Sequence, residues 1–331
     1  MGRVLPDRGA PSGEQRSWEM TAFGLSVRSE LPLLGPPASN GRSDSHALEI
    51  RHLDGDSSEA YPVHEEVTVL ERRHPDGSLG MRVSRLEAGG YRIDAPGHGA
   101  FAVASDGAVI CCAQLREPSW RWHRPLFAQA MPLAATLQGF ELLHASAVAL
   151  DDHAVAFVAR SGTGKTSLAT QLIARGASPL TDDVLSLESR GAAVIAHPGV
   201  RMANIAREQM ELLSPAQRAR VGRPVGVSDK IHVELASMPT GPLPLAALFF
   251  LERSEQIERL TFARSAAPNP REILGSTFMP HIVTPARLTA QLEACAVIAT
   301  TVPIFQILAP SAITAARLAI AVEREAAKVL G

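Results

Sequence analysis

The sequence has few cysteines and few aromatic residues, and it carries no excess of positive charge. Its 331 residues include three cysteines, Cys111, Cys112 and Cys295, and the first two are adjacent, so they cannot readily bridge each other. This excludes a disulfide framework or a cysteine metal site and indicates buried thiols in a reducing cytoplasm. Aromatic residues make up 5% of the chain, and its net charge is −2, so no basic field attracts nucleic acid.

Long apolar runs are also missing. No stretch of about 18 apolar residues occurs, and residues 1–8 lack the apolar core of a signal peptide. We therefore expect a cytoplasmic protein with neither nucleic acid nor a membrane as its partner. Hydrophobic residues make up 46% of the chain, which is enough for a globular core, and 331 residues can form two domains.

Lysine is scarce. Among 32 lysine and arginine residues, the lysines are Lys165, Lys230 and Lys328. In a chain that uses arginine for surface charge, a lysine indicates a position that needs a compact, flexible ammonium group. Lys165 and Lys230 are therefore candidates for a site.

The chain divides by composition and periodicity into four segments. Residues 1–18 are rich in Gly, Pro, Ser and Arg and are predicted to be a disordered leader; residues 35–45 have the same character. Short apolar or alternating stretches over 19–121 predict a mainly antiparallel β-rich domain. Apolar positions at helical spacing over 122–143 predict a linking helix, and 144–331 are predicted to form a nucleotide-binding catalytic domain.

A phosphate-binding loop occupies Ala159 to Thr166, after the apolar run 154–158 and before a helical pattern over 167–173. Its glycines let backbone N–H groups turn toward one anion, and the helix N-terminus adds positive potential. Lys165 would reach the β and γ phosphates, and the Thr166 hydroxyl would bind Mg²⁺. Ala159 stands where the strict motif has glycine, which is tolerable if its φ is negative. The predicted nucleotide-binding residues are Ser161, Gly162, Thr163, Gly164, Lys165, Thr166 and Ser167.

An acidic pair, Asp182 and Asp183, follows the loop helix and a short strand. A kinase needs acidic groups for the metal and a carboxylate that takes the acceptor's proton. In one assignment of roles, Asp182 is the general base and Asp183 contacts the metal or a water beside Thr166. The alternative is that the pair forms a solvent-exposed Asp-Asp turn without a catalytic role. His144 lies ahead of the loop, where a lone histidine is more often structural than catalytic.

The stretch from His144 through Asp183 resembles the catalytic domain of bacterial HPr kinase/phosphorylase, with the same spacing of the histidine, the loop lysine, Arg175-Gly176 and the Asp pair. The resemblance implies that Asp182 is the general base on a serine hydroxyl, that His144 tunes it, and that Lys165 and Thr166 contact the triphosphate and metal. It also implies an α+β or α/β fold. The nucleotide domain would be a P-loop domain related to phosphoenolpyruvate carboxykinases, with a mixed sheet.

The chain departs from that family after the Asp pair. HPr kinases carry a metal-binding glutamate there, whereas residues 196–205 contain no acidic residue. The segment associated with phosphorolysis is also missing. We therefore expect a kinase without phosphorylase activity.

The whole chain looks like a diverged branch of related kinases that occur with ribosomal peptide pathways, including lasso-peptide kinases. This likeness implies a peptide or small protein as acceptor, phosphorylated on serine, and in the lasso case on the C-terminal serine of a precursor. The stretches that carry it are Phe23 to Val27, Ser29 to Leu33, Leu143 to Val148, Thr181 to Val184, Pro244 to Arg253 and Val302 to Leu308.

Three further cations have separate interpretations. Lys230 and Arg201 are candidate contacts to phosphate or acceptor, and Arg253 is interpreted as a surface charge. ATP or GTP is the expected nucleotide, with Mg²⁺. A nucleotide-binding regulatory or scaffold protein and a small-molecule kinase are alternative functions. The identity of the acceptor stays open, and the sequence is compatible with a monomer or a homo-oligomer.

Overall fold

The computed structural model describes residues 17–34, 46–53, 66–87, 89–266 and 268–331. The chain separates into two compact units, Met1–Gly139 and Phe140–Gly331. Residues 1–16 of the predicted leader and the predicted loop at 35–45 lie outside the described residues. The leader was predicted to extend to residue 18, but Trp18 already belongs to the first strand.

The first unit is built around an eight-stranded sheet in the order β1-β2-β3-β8-β7-β6-β5-β4. Strand β3 pairs in parallel with β2 and β8, and the other neighbours are antiparallel. In β2, β3 and β6 the buried side chains alternate with less buried ones, as the two-residue period of a pleated strand requires, whereas β7 and β8 are buried at four consecutive positions. The strands are β1 (Trp18–Ala22), β2 (Leu25–Ser29), β3 (Ala47–His52), β4 (Glu66–Arg73), β5 (Leu79–Leu86), β6 (Tyr91–Ala95), β7 (Gly99–Val103) and β8 (Val109–Ala113).

The helical segment of this unit has three parts: α1 (Trp120–Pro125), a π-helical turn (Leu126–Ala130) and α2 (Met131–Leu137). Pro125 and Pro132 flank the turn, and each lacks the N–H that an α-helical hydrogen bond needs, which accounts for the irregularity. The prediction of one helix over 122–143 is wrong at its end. Helix α2 stops at Leu137, Gly139 has φ +98°, and a strand begins at Glu141.

The second unit contains two sheets. The larger has both parallel and antiparallel pairs, so the chain is a mixed α/β protein with several sheets. In it, β10, β17 and β19 run parallel, whereas β9, β12 and β13 join by antiparallel pairs. A smaller sheet has the order β14-β16-β15. The strands are β9 (Glu141–Leu150), β10 (His153–Val158), β11 (Ser178–Thr181), β12 (Val184–Arg190), β13 (Ala193–His197), β14 (Met202–Ile205), β15 (Gly222–Val227), β16 (Ile231–Leu235), β17 (Leu243–Ser254), β18 (Thr261–Arg264) and β19 (Ile304–Pro310).

Strand β10 explains the apolar run that precedes the phosphate loop. Val155 and Phe157 belong to one core cluster with α3 (Lys165–Arg175) and α8 (Ala315–Leu330), whereas Ala154 and Ala156 belong to another with α7 (Pro285–Thr301). A strand covered on both faces needs apolar residues at every position, so its sequence reads as a continuous run. The helices of this unit are α3 (Lys165–Arg175), α4 (Arg207–Glu211), α5 (Pro215–Val221), α6 (Pro270–Leu274), α7 (Pro285–Thr301) and α8 (Ala315–Leu330).

Within the described residues, none of the helices combines the length and the apolar character that crossing a bilayer requires.

Candidate nucleotide-binding and phosphotransfer site

The predicted phosphate loop connects the end of β10 at Val158 to the start of α3 at Lys165. Gly162 has φ +81° and Gly164 has φ +109°, conformations that side chains with a Cβ rarely adopt. Ala159 keeps a negative φ, and its methyl group packs against the core, which explains why alanine is tolerated there. The loop therefore presents its backbone at a helix N-terminus, where anions bind.

Lys165 is buried at the first turn of α3, with 6% of its surface exposed. Its Nζ atom donates a hydrogen bond to the Ala159 carbonyl oxygen at 2.7 Å, so the ammonium group lies back over the loop. Burial lowers the pKa of Lys165, the carboxylates of Asp183 and Asp182 oppose that shift, and the charge of Lys230 adds to it. Because an ammonium group has three donors, Lys165 can keep this bond and also bind phosphate oxygens.

Strand β9 brings together the residues that the sequence placed on either side of the loop. It pairs with β10, β11 and β12, with Thr181 of β11 opposite Ala147 and Val184 of β12 opposite His144. Asp182 and Asp183 fall in the break between β11 and β12. The acidic pair is therefore held beside the same strand that precedes the phosphate loop.

Asp182 is the most connected acidic group of the site. Its Oδ1 atom accepts hydrogen bonds from the hydroxyl groups of Thr166 at 2.8 Å and Ser146 at 3.3 Å. Its Oδ2 atom accepts one from the backbone N–H of Asn204 at 3.0 Å. Burial and the neighbouring charge of Asp183 raise the pKa of Asp182 to about 7, although the bonds from Asn204 and Thr166 oppose the shift.

Asp183 has φ +68°, which is uncommon for a residue with a side chain. The Val184 N–H donates to the Asp182 carbonyl oxygen at 2.9 Å across it, which is the bond of a γ-turn in its rarer positive-φ form. The turn is further closed by the Thr181 hydroxyl, which donates to the Val184 carbonyl at 2.5 Å. Strained backbone of this kind clusters at functional sites, where it fixes side-chain direction.

His144 supports this turn. Its Nδ1 atom lies 3.2 Å from the Asp183 carbonyl oxygen, and because a carbonyl only accepts, Nδ1 carries the hydrogen. Its own backbone N–H donates to the Ser276 carbonyl at 2.6 Å, and its ring lies 6.0 Å from that of Phe278. The geometry therefore connects His144 to the backbone of the acidic pair, and a tuning role toward Asp182 stays a prediction.

The oxygen atoms around Thr166 suit Mg²⁺. This ion prefers oxygen ligands and is held by one or two carboxylates together with substrate phosphates and water. Thr166, Asp182 and Asp183 offer a hydroxyl and two carboxylates close to the loop, although over the described ranges no three His, Cys, Asp or Glu side chains cluster as a protein-only metal cage. The donor set fits Mg²⁺ brought with a nucleotide.

A buried histidine of the smaller sheet, which no sequence motif marks, contacts the residue that donates to Asp182. His232 is fully buried, and its Nδ1 atom lies 2.6 Å from Oδ1 of Asn204, the residue whose N–H donates to Asp182. Its Nε2 atom lies 3.0 Å from the Ser228 hydroxyl, which donates to Asp229 at 2.6 Å. A short motif cannot reveal this chain of bonds, since it depends on the pairing of β14 with β16.

Arg201 and Lys230, which the sequence analysis gives as candidate contacts to phosphate or acceptor, have different surroundings. The guanidinium group of Arg201 donates to the carbonyl oxygens of Leu235 and Ala236, which gives it a structural contact. Lys230 is exposed at the tip of the β15–β16 hairpin, and its charge acts on Asp182 and Lys165. Contacts of either residue with a phosphate or acceptor stay predictions.

The interpretation of Arg253 as a surface charge is wrong. Arg253 is half-buried at the end of β17, with Nη1 3.4 Å from the point where a Cβ on Gly164 would stand. Its Nη2 atom donates to the Ile313 carbonyl, and within the described part of the chain its buried Nε atom has no hydrogen-bond partner. The parallel pairing of β10 with β17 brings this arginine to the loop, and no local sequence signal records that pairing.

Comparison with solved structures gives a distant structural likeness. The chain is similar to the HPr(Ser) kinase/phosphatase from Coxiella burnetii, with 14% sequence identity and a TM-score of 0.32, over 58% of this chain and 99% of that chain. No family model matches the sequence. No curated protein matches it either. A TM-score this low does not establish a common fold, so the functional argument depends on the site's own geometry.

Proposed function

We propose that the protein is an ATP- and Mg²⁺-dependent kinase that transfers the γ-phosphoryl group to the serine hydroxyl of a peptide or small protein. The observation that carries this proposal is the hydrogen bond of 2.8 Å between Thr166 and Asp182. It joins the hydroxyl of the phosphate loop to an acidic residue with a pKa of about 7. A general base works best when its pKa lies near the operating pH.

The chain's residues divide the work of an in-line transfer. The serine oxygen forms a bond to the γ-phosphorus while the bond from that phosphorus to the β–γ bridging oxygen breaks. The serine proton goes to the Asp182 carboxylate, and the electron pair of the broken bond stays on the nucleoside diphosphate. Lys165 and the loop N–H groups hold the β and γ phosphates.

Mg²⁺ would be held by Thr166 and Asp183 and would supply positive charge next to the phosphate oxygens. The Thr166 hydroxyl donates a hydrogen bond to Asp182, and the charge of Asp183 acts on Asp182, so both aspartates lie close to the loop hydroxyl. His144, which contacts the Asp183 carbonyl, would orient the acidic turn.

Mass spectrometry of candidate peptides tests the proposal directly. The protein is incubated with ATP, Mg²⁺ and serine peptides, including precursor peptides that end in serine, and we expect a mass gain of one phosphoryl group. Matched peptides with alanine at the serine position should gain nothing, and parallel reactions with GTP would define the nucleotide. ATP binding without transfer to any peptide would contradict the proposal and favour a nucleotide-controlled switch; transfer to small alcohols alone would favour a small-molecule kinase.

The raised pKa of Asp182 predicts a pH-dependent stability of the ligand-free protein. A carboxyl group with a pKa of about 7 when folded and about 3.8 when unfolded stabilises the fold fully below pH 3.8. That contribution is lost as the pH rises through 7. We therefore expect Asp182→Asn to raise the free energy of unfolding by on the order of 1 kcal/mol at pH 4.5 and by on the order of 4 kcal/mol at pH 8.

Urea unfolding of both proteins at the two pH values measures this difference. The wild-type comparison at each pH cancels the titration of all other groups, which the two proteins share. An equal stability difference at pH 4.5 and pH 8 would show that Asp182 does not titrate in this range.

A further inference from the structure

A cavity lies at the ends of the parallel strands of the larger sheet. Its volume is about 550 Å³, and it is formed by the segment after β17, the end of β19 at Pro310 and one face of α8. Leu260, Ile313, Ile320 and Ala321 give it apolar walls, and Glu258 with Arg317 adds polar groups. A cavity of this size with apolar walls and a few polar groups is typical of a small-molecule site.

One arginine connects this cavity to the phosphate loop. Nη1 of Arg253 lies next to Gly164, and Nη2 donates to the carbonyl oxygen of Ile313, which lines the cavity. A single guanidinium group therefore spans the distance between them. Its Nε atom is buried and has no hydrogen-bond partner among the described residues.

Strand direction explains why the two sites are adjacent. Strands β10, β17 and β19 are parallel, so their C-terminal ends open on the same edge of the sheet. The phosphate loop follows β10, Arg253 lies near the end of β17, and Pro310 ends β19. Ligands of open α/β sheets bind outside the carboxyl ends of the strands.

We propose that this cavity is the nucleoside subsite, and that Arg253 binds the phosphates between the nucleoside and the loop. The apolar walls would cover the faces of a purine ring, and Glu258 would accept a hydrogen bond from an amino group of the base or from a ribose hydroxyl. Arg253 presents the forked donors that suit phosphate oxygens. The inference rests on the proposed function only in that a nucleoside triphosphate occupies the loop.

Binding of ATP and of inorganic tripolyphosphate, measured by calorimetry with Mg²⁺ and without an acceptor, separates the two parts of the ligand. Ala321→Trp fills the cavity, and we expect it to weaken ATP binding at least tenfold while tripolyphosphate binding stays within about twofold. Ala327→Trp is the matched control, since Ala327 is exposed on the same helix and does not line the cavity. Retained tripolyphosphate binding also shows that the variant is folded.

Arg253 has a different expected signature. Arg253→Ala should weaken both ATP and tripolyphosphate about tenfold or more, because charge-assisted hydrogen bonds to phosphate are lost. Arg253→Lys should recover part of this affinity, which a purely structural role would not predict. Arg85→Ala, at an exposed position of β5 that does not line the cavity, is the control for the loss of one positive charge.

Photo-crosslinking of the wild-type protein with 8-azido-ATP gives an independent measurement. The label should map to residues 258–260 or 310–324. Labelling elsewhere, unchanged ATP affinity in Ala321→Trp, or a wild-type protein that binds no ATP would overturn the inference. If the nucleoside results hold but no serine is phosphorylated, the proposed kinase function fails and the subsite stands.

Discussion

Asp182→Asn is expected to reduce phosphoryl transfer by about 10²–10⁴-fold, the range that a general base contributes. ATP affinity should change little, since the loop N–H groups and Lys165 bind the phosphates. The substitution keeps the oxygen that accepts from Thr166 and removes the group that takes the serine proton. Single-turnover transfer and equilibrium ATP binding, measured on the same preparation, give the two values.

Asp152→Asn is the matched control, because Asp152 is exposed in the turn between β9 and β10. Phosphoryl transfer by Asp182→Asn at the wild-type rate would contradict the assignment of Asp182 as the general base.

Asp183→Asn distinguishes the role of the metal ligand from that of the base. If Asp183 holds the metal, its loss should raise the Mg²⁺ concentration needed for half-maximal transfer, whereas Asp182→Asn should not be rescued by more Mg²⁺.

Lys165→Met should reduce ATP affinity by about 10- to 150-fold, since each lost hydrogen bond to a charged phosphate costs about 1.5–3 kcal/mol. Transfer should fall further, by about 10²–10³-fold, because Lys165 also balances charge that develops on the phosphates. The stability of the ligand-free protein should not decrease. Burial lowers the pKa of Lys165, so the buried ammonium disfavours folding and methionine relieves that cost.

Thermal unfolding with and without ATP distinguishes this result from simple misfolding. The variant should have a melting temperature at or above the wild-type value without ligand and a smaller increase on adding ATP. Lys328→Met is the control, since Lys328 is an exposed lysine paired with Glu325 on α8. A variant that binds ATP as tightly as wild type would contradict the role of Lys165.

The sequence predicts the phosphate loop and the acidic pair, but it does not predict the residues that reach them from distant parts of the chain. The phosphate loop is a local motif. Its glycines at positive φ, the buried strand before it and the helix after it all depend on residues that are neighbours in the sequence. The acidic pair was predicted from its spacing, which the structure explains by the pairing of β11 and β12 with β9. Local chemistry and short-range connection therefore suffice to predict that Lys165, Thr166 and Asp182 lie together, and their roles stay predictions.

Arg253, Asn204 and His232 could not be predicted in the same way. Arg253 lies far along the chain from Gly164 and meets the loop because β17 pairs in parallel with β10. Asn204 reaches Asp182 through its backbone N–H, which every non-proline residue has, so no residue type marks the contact. The charge of Arg201 suggests a phosphate contact, yet its guanidinium group donates hydrogen bonds to backbone carbonyl groups.

By itself, the sequence determined the phosphate loop, the buried strand before it and the acidic pair after it, because each depends on neighbouring residues and on backbone conformations that few side chains allow. The tertiary structure alone decided which distant side chains surround that loop. Pairing between strands far apart in the chain sets those contacts, and burial then determines the pKa of Asp182 and Lys165. Neither effect is encoded in any single segment.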